Sequence, residues 1–311
     1  MVSGRVGFLF PGQGAQFVGM GKEWATQFKK AKNIYEEADS ILGYSLSEIC
    51  FEGPEDKLTQ TQFAQPAIFV TSLALFEVLQ EHYPELKPHF VAGLSLGEFS
   101  ALVAAGSLRF NEGLSLVRER AELMERAAQK NQGAMISILG LTQSECEAVV
   151  RESQTELANL NAPDQFVLSG KVTAIRKAAE LAEGMGAKKV IPLKVSGAFH
   201  SVLMEEAQKG LQASLAKVSI KIPGCVFVPN VTAYPESDPG QIRILLGKQV
   251  THSVRWIETI REAFREKIER FIEFGPGRVL KGLVKRIEPS LEVHSLERVS
   301  DLEGIASHVA R

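Results

Sequence analysis

Apolar residues fall into two rhythms along this chain. Short continuous runs have the length and bias of buried strands: Arg5-Val6-Gly7-Phe8-Leu9-Phe10, His89-Phe90-Val91-Ala92, Cys225-Val226-Phe227-Val228 and Arg270 to Phe274, the last of these read as the final core strand. Longer stretches between them read as helices. One carries Trp24 and Phe28, and others span Asn33 to Leu42, Leu46 to Phe51, Ala67 to Leu79 behind Gln65-Pro66, Ile242 to Gln249 and Val254 to Lys267. The helix from Asn111 to Gln129 shows its apolar stripe most plainly, at Leu114, Val117, Ala121 and Met124, with Arg118 and Arg120 on different faces. Pro84 and Pro88 bracket a loop ahead of the second apolar run.

From Gly133 the order of elements changes. Ala134 to Leu139, Glu156 to Asn161, Gln165 to Ser169 and Ala187 to Leu193 read as strands. Thr142 to Glu152, capped by Thr142, and Val172 to Gly184 read as helices. The resulting β-α-β-β-α-β order is the ferredoxin-like signature. It predicts an α/β chain in which residues 131–195 form a small ferredoxin-like domain, inserted into a large domain of residues 1–130 and 196–311.

The densest chemistry lies at Gly93-Leu94-Ser95-Leu96-Gly97. An apolar run precedes it, and Glu98 to Ala105, rich in helix formers and halted at Gly106, follows. In that strand–turn–helix setting G-x-S-x-G reads as a nucleophile elbow, against the plainer reading of a βα loop with two glycines. The glycines admit a turn too tight for side chains, which holds the serine hydroxyl near the positive end of the following helix. Pro11-Gly12-Gln13-Gly14-Ala15-Gln16 makes a second glycine-rich turn, neither a Walker A sequence nor G-x-G-x-x-G. Its free N–H groups either cap a helix or supply half of an oxyanion hole, with Gln13 N–H and Leu96 N–H as the pair.

An elbow serine needs a base, and imidazole is the usual one. His200, in Val195-Ser196-Gly197-Ala198-Phe199-His200-Ser201, sits at the predicted junction of the two domains, where a cleft forms. His82, His89, His252, His294 and His308 lie apart from any glycine turn or second catalytic residue type. Arg118 and Arg120 are solvated charges or, for one of them, a bidentate clamp for a substrate carboxylate. Gly275-Pro276-Gly277 leads into a basic helix with Arg278, Lys281, Lys285 and Arg286, either a solvated face or a dock for an acidic partner.

Composition removes alternatives more than it adds them. At 311 residues, 45% hydrophobic and 23% charged, the chain is an ordinary globular protein of one large domain or two. A formal net charge of -2 gives no reason to expect nucleic acid or a membrane as a partner. Cys50, Cys146 and Cys225 are far apart, with no metal or disulfide spacing, which fits a reducing compartment. Met1 to Phe10 is too short for a signal segment, and the apolar run Pro66 to Phe76 is too short to span a bilayer. The expectation is a soluble cytoplasmic protein.

Taken in order, Phe10-Pro11-Gly12-Gln13-Gly14, Gly93 to Leu102, Arg120, Gly197-Ala198-Phe199-His200-Ser201, Gln249 and Phe274-Gly275-Pro276-Gly277 resemble the malonyl-CoA:acyl carrier protein transacylases of type II fatty acid synthesis. The resemblance spans the whole chain. It implies an α/β-hydrolase-like large domain with the ferredoxin-like insert and a gorge between them. It implies a monomer that needs no cofactor, with malonyl-CoA as substrate and acyl carrier protein as partner. By the same resemblance Ser95 carries the acyl group, His200 is its base, and Gln13 and Leu96 hold the oxyanion. Arg120 pairs with the malonyl carboxylate. Gln249 orients His200 through its backbone carbonyl in place of an acid, and Phe199 fits the malonyl-type pattern. Two positions depart from the family: Leu94 stands where histidine is usual, and Ala198 where proline is common. The competing expectation is a serine esterase or thioesterase with the same elbow. Against it, no clear acid stands between Ser95 and His200 in the expected order, and Arg120 suits an acidic acyl group. A non-catalytic scaffold that binds the carrier protein ranks last.

Overall fold

A computed structural model describes residues 4–309, leaving Met1 to Ser3, at the head of the first apolar run, and the side chain of His308 outside the described residues. The strands in chain order are β1 (Val6–Phe10), β2 (Phe90–Gly93), β3 (Gly133–Leu139), β4 (Glu156–Ala162), β5 (Gln165–Lys171), β6 (Lys189–Pro192), β7 (Val226–Phe227), β8 (Arg270–Phe274) and β9 (Glu292–Leu296). They divide into two sheets. One is parallel throughout, in the order β7-β2-β1-β8-β9. The other, drawn entirely from residues 133–192, is antiparallel, in the order β4-β5-β3-β6.

The unalternating apolar runs form the parallel sheet because helices cover both its faces. Every residue of β1 and β2 is buried. On one face Phe8, Phe10, Phe76 and Phe274 make a ring cluster, with Phe8 and Phe274 centroids 4.8 Å apart. On the other, Leu9, Phe90 and Phe271 meet Trp256, Ile260 and Val284. Each such side chain contributes roughly 1.5–3 kcal/mol on burial. Strand order changes direction at β1: the chain runs first toward β2 and β7, then returns to lay β8 and β9 on the far side. The loops that leave the carboxyl ends of β1 and β2 therefore bound the crevice where α/β sheets place their ligands.

Several expectations are corrected. The helix expected to open at Gln65-Pro66 begins at Thr61 and runs to His82, with Pro66 inside it. A proline this close to the start removes only one early helical bond. The apolar run judged too short to span a bilayer thus belongs to a 22-residue helix with an 18-residue window of mean hydropathy 1.4, long and apolar enough by length and composition. Its apolar window is 83% buried inside the protein, as a core helix. Trp24 and Phe28 do not share a helix, because Phe28 adopts an extended conformation (φ -120°, ψ 119°) between Lys22–Gln27 and Lys29–Leu42. Arg270–Phe274 is not the final strand. β9 follows it on the edge of the sheet, and its charged, alternating Glu-Val-His-Ser-Leu lacks the continuous apolar run of a central strand. Gln249 lies past the end of the helix Pro239–Lys248, in the 3-10 turn Gln249–Thr251. In the small sheet, Thr142 caps its helix as expected, through a capping box with Glu145.

Candidate active site

The turn after β2 has the geometry its glycines suggest. Ser95 sits at φ 53°, a left-handed conformation rare for a side chain of this type. A Cβ on Gly93 would stand 1.9 Å from the Gly97 carbonyl carbon, and one on Gly97 would stand 2.1 Å from the Phe10 carbonyl oxygen. Nothing larger fits at either end. The helix Gly97–Ala104 starts immediately, so Leu96 N–H belongs to the amides at a helix start that no intrahelical carbonyl receives. The loop after β1 lies against this turn, and a Cβ on Gly12 would come within 2.4 Å of the Leu94 carbonyl oxygen. That close approach puts Gln13 beside the elbow, with its side chain donating to Thr61 Oγ1 at 3.2 Å.

Ser95 Oγ donates to His200 Nε2 at 2.8 Å, and His200 Nδ1 donates to the Gln249 carbonyl oxygen at 2.8 Å. The bond at Nδ1 fixes the neutral tautomer that leaves Nε2 free to accept a proton. His200 is also left-handed, at φ 58°. Strain of this kind costs about 1–3 kcal/mol per residue and persists where surrounding contacts over-determine it. Burial, helped by the nearby Arg120 cation, lowers the His200 pKa to about 4, so the imidazole is neutral at physiological pH.

Arg120 is the residue of its pair that turns inward. It is 1% exposed, whereas Arg118 is only half-buried. Its Nη1 donates to Gln65 Oε1 at 2.6 Å, and its Nη2 to Ser95 Oγ at 3.0 Å and Gln249 Oε1 at 2.9 Å. Its Nε is buried with no hydrogen-bond partner among the described residues. Burial pulls the guanidinium down to about 10, which leaves it charged. A cavity of about 90 Å³ joins Gln13, Ser95, Leu96, Arg120, Phe199 and His200, with Gln65, Leu94, Met124, Met135, Asn159 and Leu193 also among its walls. Every proposed site residue except Gln249 lines it. Gln249 sits behind, fully buried, in contact with the base, the arginine and the elbow.

Three residues of this cluster were not legible from motifs. Gln65 receives Arg120 from the long core helix. Glu98, fully buried, accepts Asn230 N–H at 2.8 Å and a short bond from Gln249 Nε2. Burial raises its carboxyl pKa, against the downward pull of Asn230 N–H and Arg120, and the two N–H donors on its oxygens hold it as an acceptor. Asn230 bonds the elbow itself, accepting from Ser95 N–H at 2.7 Å and donating to the Gly93 carbonyl at 2.8 Å. The only available signals were a charged residue inside an apolar helix start, Glu98, and an asparagine closing an apolar strand run, Asn230. Among the other histidines, His89 accepts Val6 N–H at 3.3 Å and helps fix β1. The basic helix is partly committed elsewhere, since Arg286 pairs with Asp164 and Gln165 in the β4–β5 turn, and Arg278 with Asp301.

Comparison with known proteins converges on one chemistry. The model of the acyl transferase domain family matches residues 7–299. The malonyl CoA-acyl carrier protein transacylase of Bacillus subtilis is 43% identical over 306 residues, which cover 97% of this chain and 95% of that protein. The solved structure of the Coxiella burnetii malonyl CoA-acyl carrier protein transacylase superposes with a TM-score of 0.96 at 35% identity, over 100% of both chains. A malonyl-transacylase solved with its type II polyketide acyl-carrier protein superposes with a TM-score of 0.93 at 34% identity, over 98% of this chain and 99% of that one.

Proposed function

The chain belongs to the malonyl-CoA:acyl carrier protein transacylases of the acyl transferase domain family, and on that premise we propose a role for each residue of the cluster. The protein is an acyltransferase that moves the malonyl group from malonyl-CoA to the phosphopantetheine thiol of acyl carrier protein. His200 Nε2 takes the Ser95 proton as Oγ attacks the thioester carbonyl. The oxyanion rests on Gln13 N–H and Leu96 N–H, and CoA thiol leaves with the proton from His200. The carrier-protein thiol then gives its proton to His200, attacks the malonyl ester, and returns Ser95 to its free form. Gln249 replaces the acid of a hydrolase triad by accepting from His200 Nδ1 through its carbonyl.

The observation that carries this reading is Arg120. A cation 1% exposed, 3.0 Å from the nucleophile and with an unbonded buried N–H, is costly until an anion joins it. A malonyl ester on Ser95 brings its carboxylate to that guanidinium. The cavity of about 90 Å³ supports the same acyl group. A volume this small suits a short acyl group. Phe199 narrows it on the side of the base. The reading calls for no cofactor, and because every residue in it comes from one chain, a monomer suffices. The strand order β4-β5-β3-β6 supports reading residues 131–195 as a ferredoxin-like insert in an α/β-hydrolase-like domain of residues 1–130 and 196–311. The free thiols of Cys50, Cys146 and Cys225 suit a cytoplasmic setting.

Mass spectrometry of the intact protein mixed with malonyl-CoA, without acceptor, tests the reading. The expected result is a persistent malonyl adduct that maps to Ser95, discharges onto acyl carrier protein and is absent in Ser95→Ala. Steady CoA release with no adduct would assign the hydrolase instead.

A further inference from the structure

Three backbone groups of the strained elbow are held by two side chains from distant parts of the chain. Asn230 accepts Ser95 N–H and donates to the Gly93 carbonyl, bracketing Leu94. Gln249 Nε2 donates to the Ser95 carbonyl at 2.8 Å. The placement of Asn230 has a simple origin. β7 pairs with β2 as far as Phe227, and Val228 N–H still donates to the Val91 carbonyl, but Pro229 has no N–H to offer. The Asn230 side-chain amide takes over where the strand's backbone stops, supplying the next donor and acceptor to β2. Ser95 can stay at φ 53° because these bonds over-determine it.

Glu98 is the second part. Its two oxygens receive Asn230 N–H and Gln249 Nε2. With Nε2 committed to Glu98 and the Ser95 carbonyl, Gln249 must turn Oε1 toward Arg120 Nη2. An acceptor at Glu98 therefore dictates which end of the Gln249 amide meets the arginine.

We propose that Glu98 and Asn230 are positioning residues joined through Gln249: Asn230 holds the nucleophile turn, and Glu98 sets the Gln249 amide that aims Arg120. The inference rests on the roles given above to Ser95 and Arg120 and adds what keeps them in place. It separates the two residues by what each should damage. Asn230→Ala frees the turn and lowers kcat for malonyl-CoA and acetyl-CoA alike, by roughly 10- to 100-fold, as expected when a buried bonded group is left unpaired. Glu98→Gln keeps shape but sets an NH2 against Gln249 Nε2. The Gln249 amide then reverses and presents a donor to Arg120, so the malonyl-over-acetyl ratio of kcat/KM falls roughly tenfold, mostly through KM for malonyl-CoA.

The experiment measures both acyl-CoA substrates with wild type and the two variants, together with phosphonylation of Ser95 by a fluorophosphonate, in which an Oγ–P bond forms and fluoride leaves. That reagent reports nucleophile geometry without a malonyl group, and Asn230→Ala should slow it more than Glu98→Gln does. A wild type that reacts with the fluorophosphonate but not with malonyl-CoA would defeat the transferase reading alone. Thermal melting controls for folding. If Asn230→Ala does not fold, Asn230→Asp carries the same test, since it keeps the acceptor for Ser95 N–H and loses the donor to Gly93. If Glu98→Gln does not fold, Glu98→Asp withdraws the carboxylate by about one carbon and should lower the same ratio. Variants that melt early but keep wild-type phosphonylation rates and a wild-type malonyl-over-acetyl ratio would reduce both residues to structural ones and overturn the proposal.

Discussion

The two sheets of this protein do different work although both are four or five strands wide. In the parallel sheet every strand points the same way, so the loops leaving β1, β2 and β7 emerge at one edge and bring Gln13, Ser95 and Asn230 together. Helix starts at that edge add partial positive charge. In the antiparallel sheet the strand ends alternate, and no edge gathers consecutive loops. It contributes a wall: Met135 of β3 and Asn159 of β4 line the cavity, and Leu193 follows β6. Chemistry is concentrated by parallel strands, and shape is supplied by the antiparallel ones.

On that division, the largest losses must come from the side chains that converge on Ser95 at the parallel sheet's edge. His200→Ala should lower acylation by roughly 10⁴-fold or more, as expected when the base of a nucleophile–base pair is removed. Stopped-flow CoA release measures it, and a loss under tenfold would contradict the assignment. Arg120→Ala comes next. It should cost roughly 10²- to 10³-fold in kcat/KM for malonyl-CoA, the scale of a buried charge pair, while acetyl-CoA turnover holds or improves. The same variant shifts the pH profile. His200 works as the neutral base, so the rate falls as pH drops through its pKa, and the wild-type acid limb should lie near 4. Without the Arg120 cation that pKa rises and the limb moves toward neutral pH. Because the unfolded histidine titrates near 6.5, the folded protein also loses stability as pH falls from 6.5 toward 4.

Effects in the antiparallel wall should be smaller and of another kind. Met135→Ala should change malonyl transfer only a few-fold and raise relative use of a bulkier acyl-CoA by roughly tenfold, the size of a methylene-scale discrimination. Competition between the two substrates measures it, and a collapse of kcat for both would erase the division of labour. Smallest of all is Arg286→Ala. It removes a partly exposed link between the helix Val279–Ile287 and the β4–β5 turn, worth at most about 1 kcal/mol, and should lower the melting midpoint by a few degrees at most without touching kcat.

The elbow was readable because its chemistry is local. Two glycines, an apolar run and a helix former fall within about a dozen residues, and the φ of Ser95 follows from them. His200 was readable from its place at a change of pattern, and Gln249 only through family resemblance. Glu98 and Asn230 were not readable. A buried glutamate in a helix and an asparagine after a proline have no sequence period, and their value lies in partners 132 and 135 residues away. β9 was missed for a related reason, since an edge strand is half-solvated and lacks the continuous apolar run.

By itself the amino-acid order determined the buried strands, the helix stripes, the elbow and the residue types for acyl transfer, because each depends on neighbours within a few positions. Only the tertiary structure decided how Arg120, already singled out by family resemblance, meets the nucleophile through Nη2, that Arg286 ties the small sheet to the large rather than standing free, and that Gln249 touches base, arginine and elbow at once. Those outcomes depend on which face of a helix meets which loop, and that is settled by packing across the whole chain, where distance in sequence carries no information about distance in space.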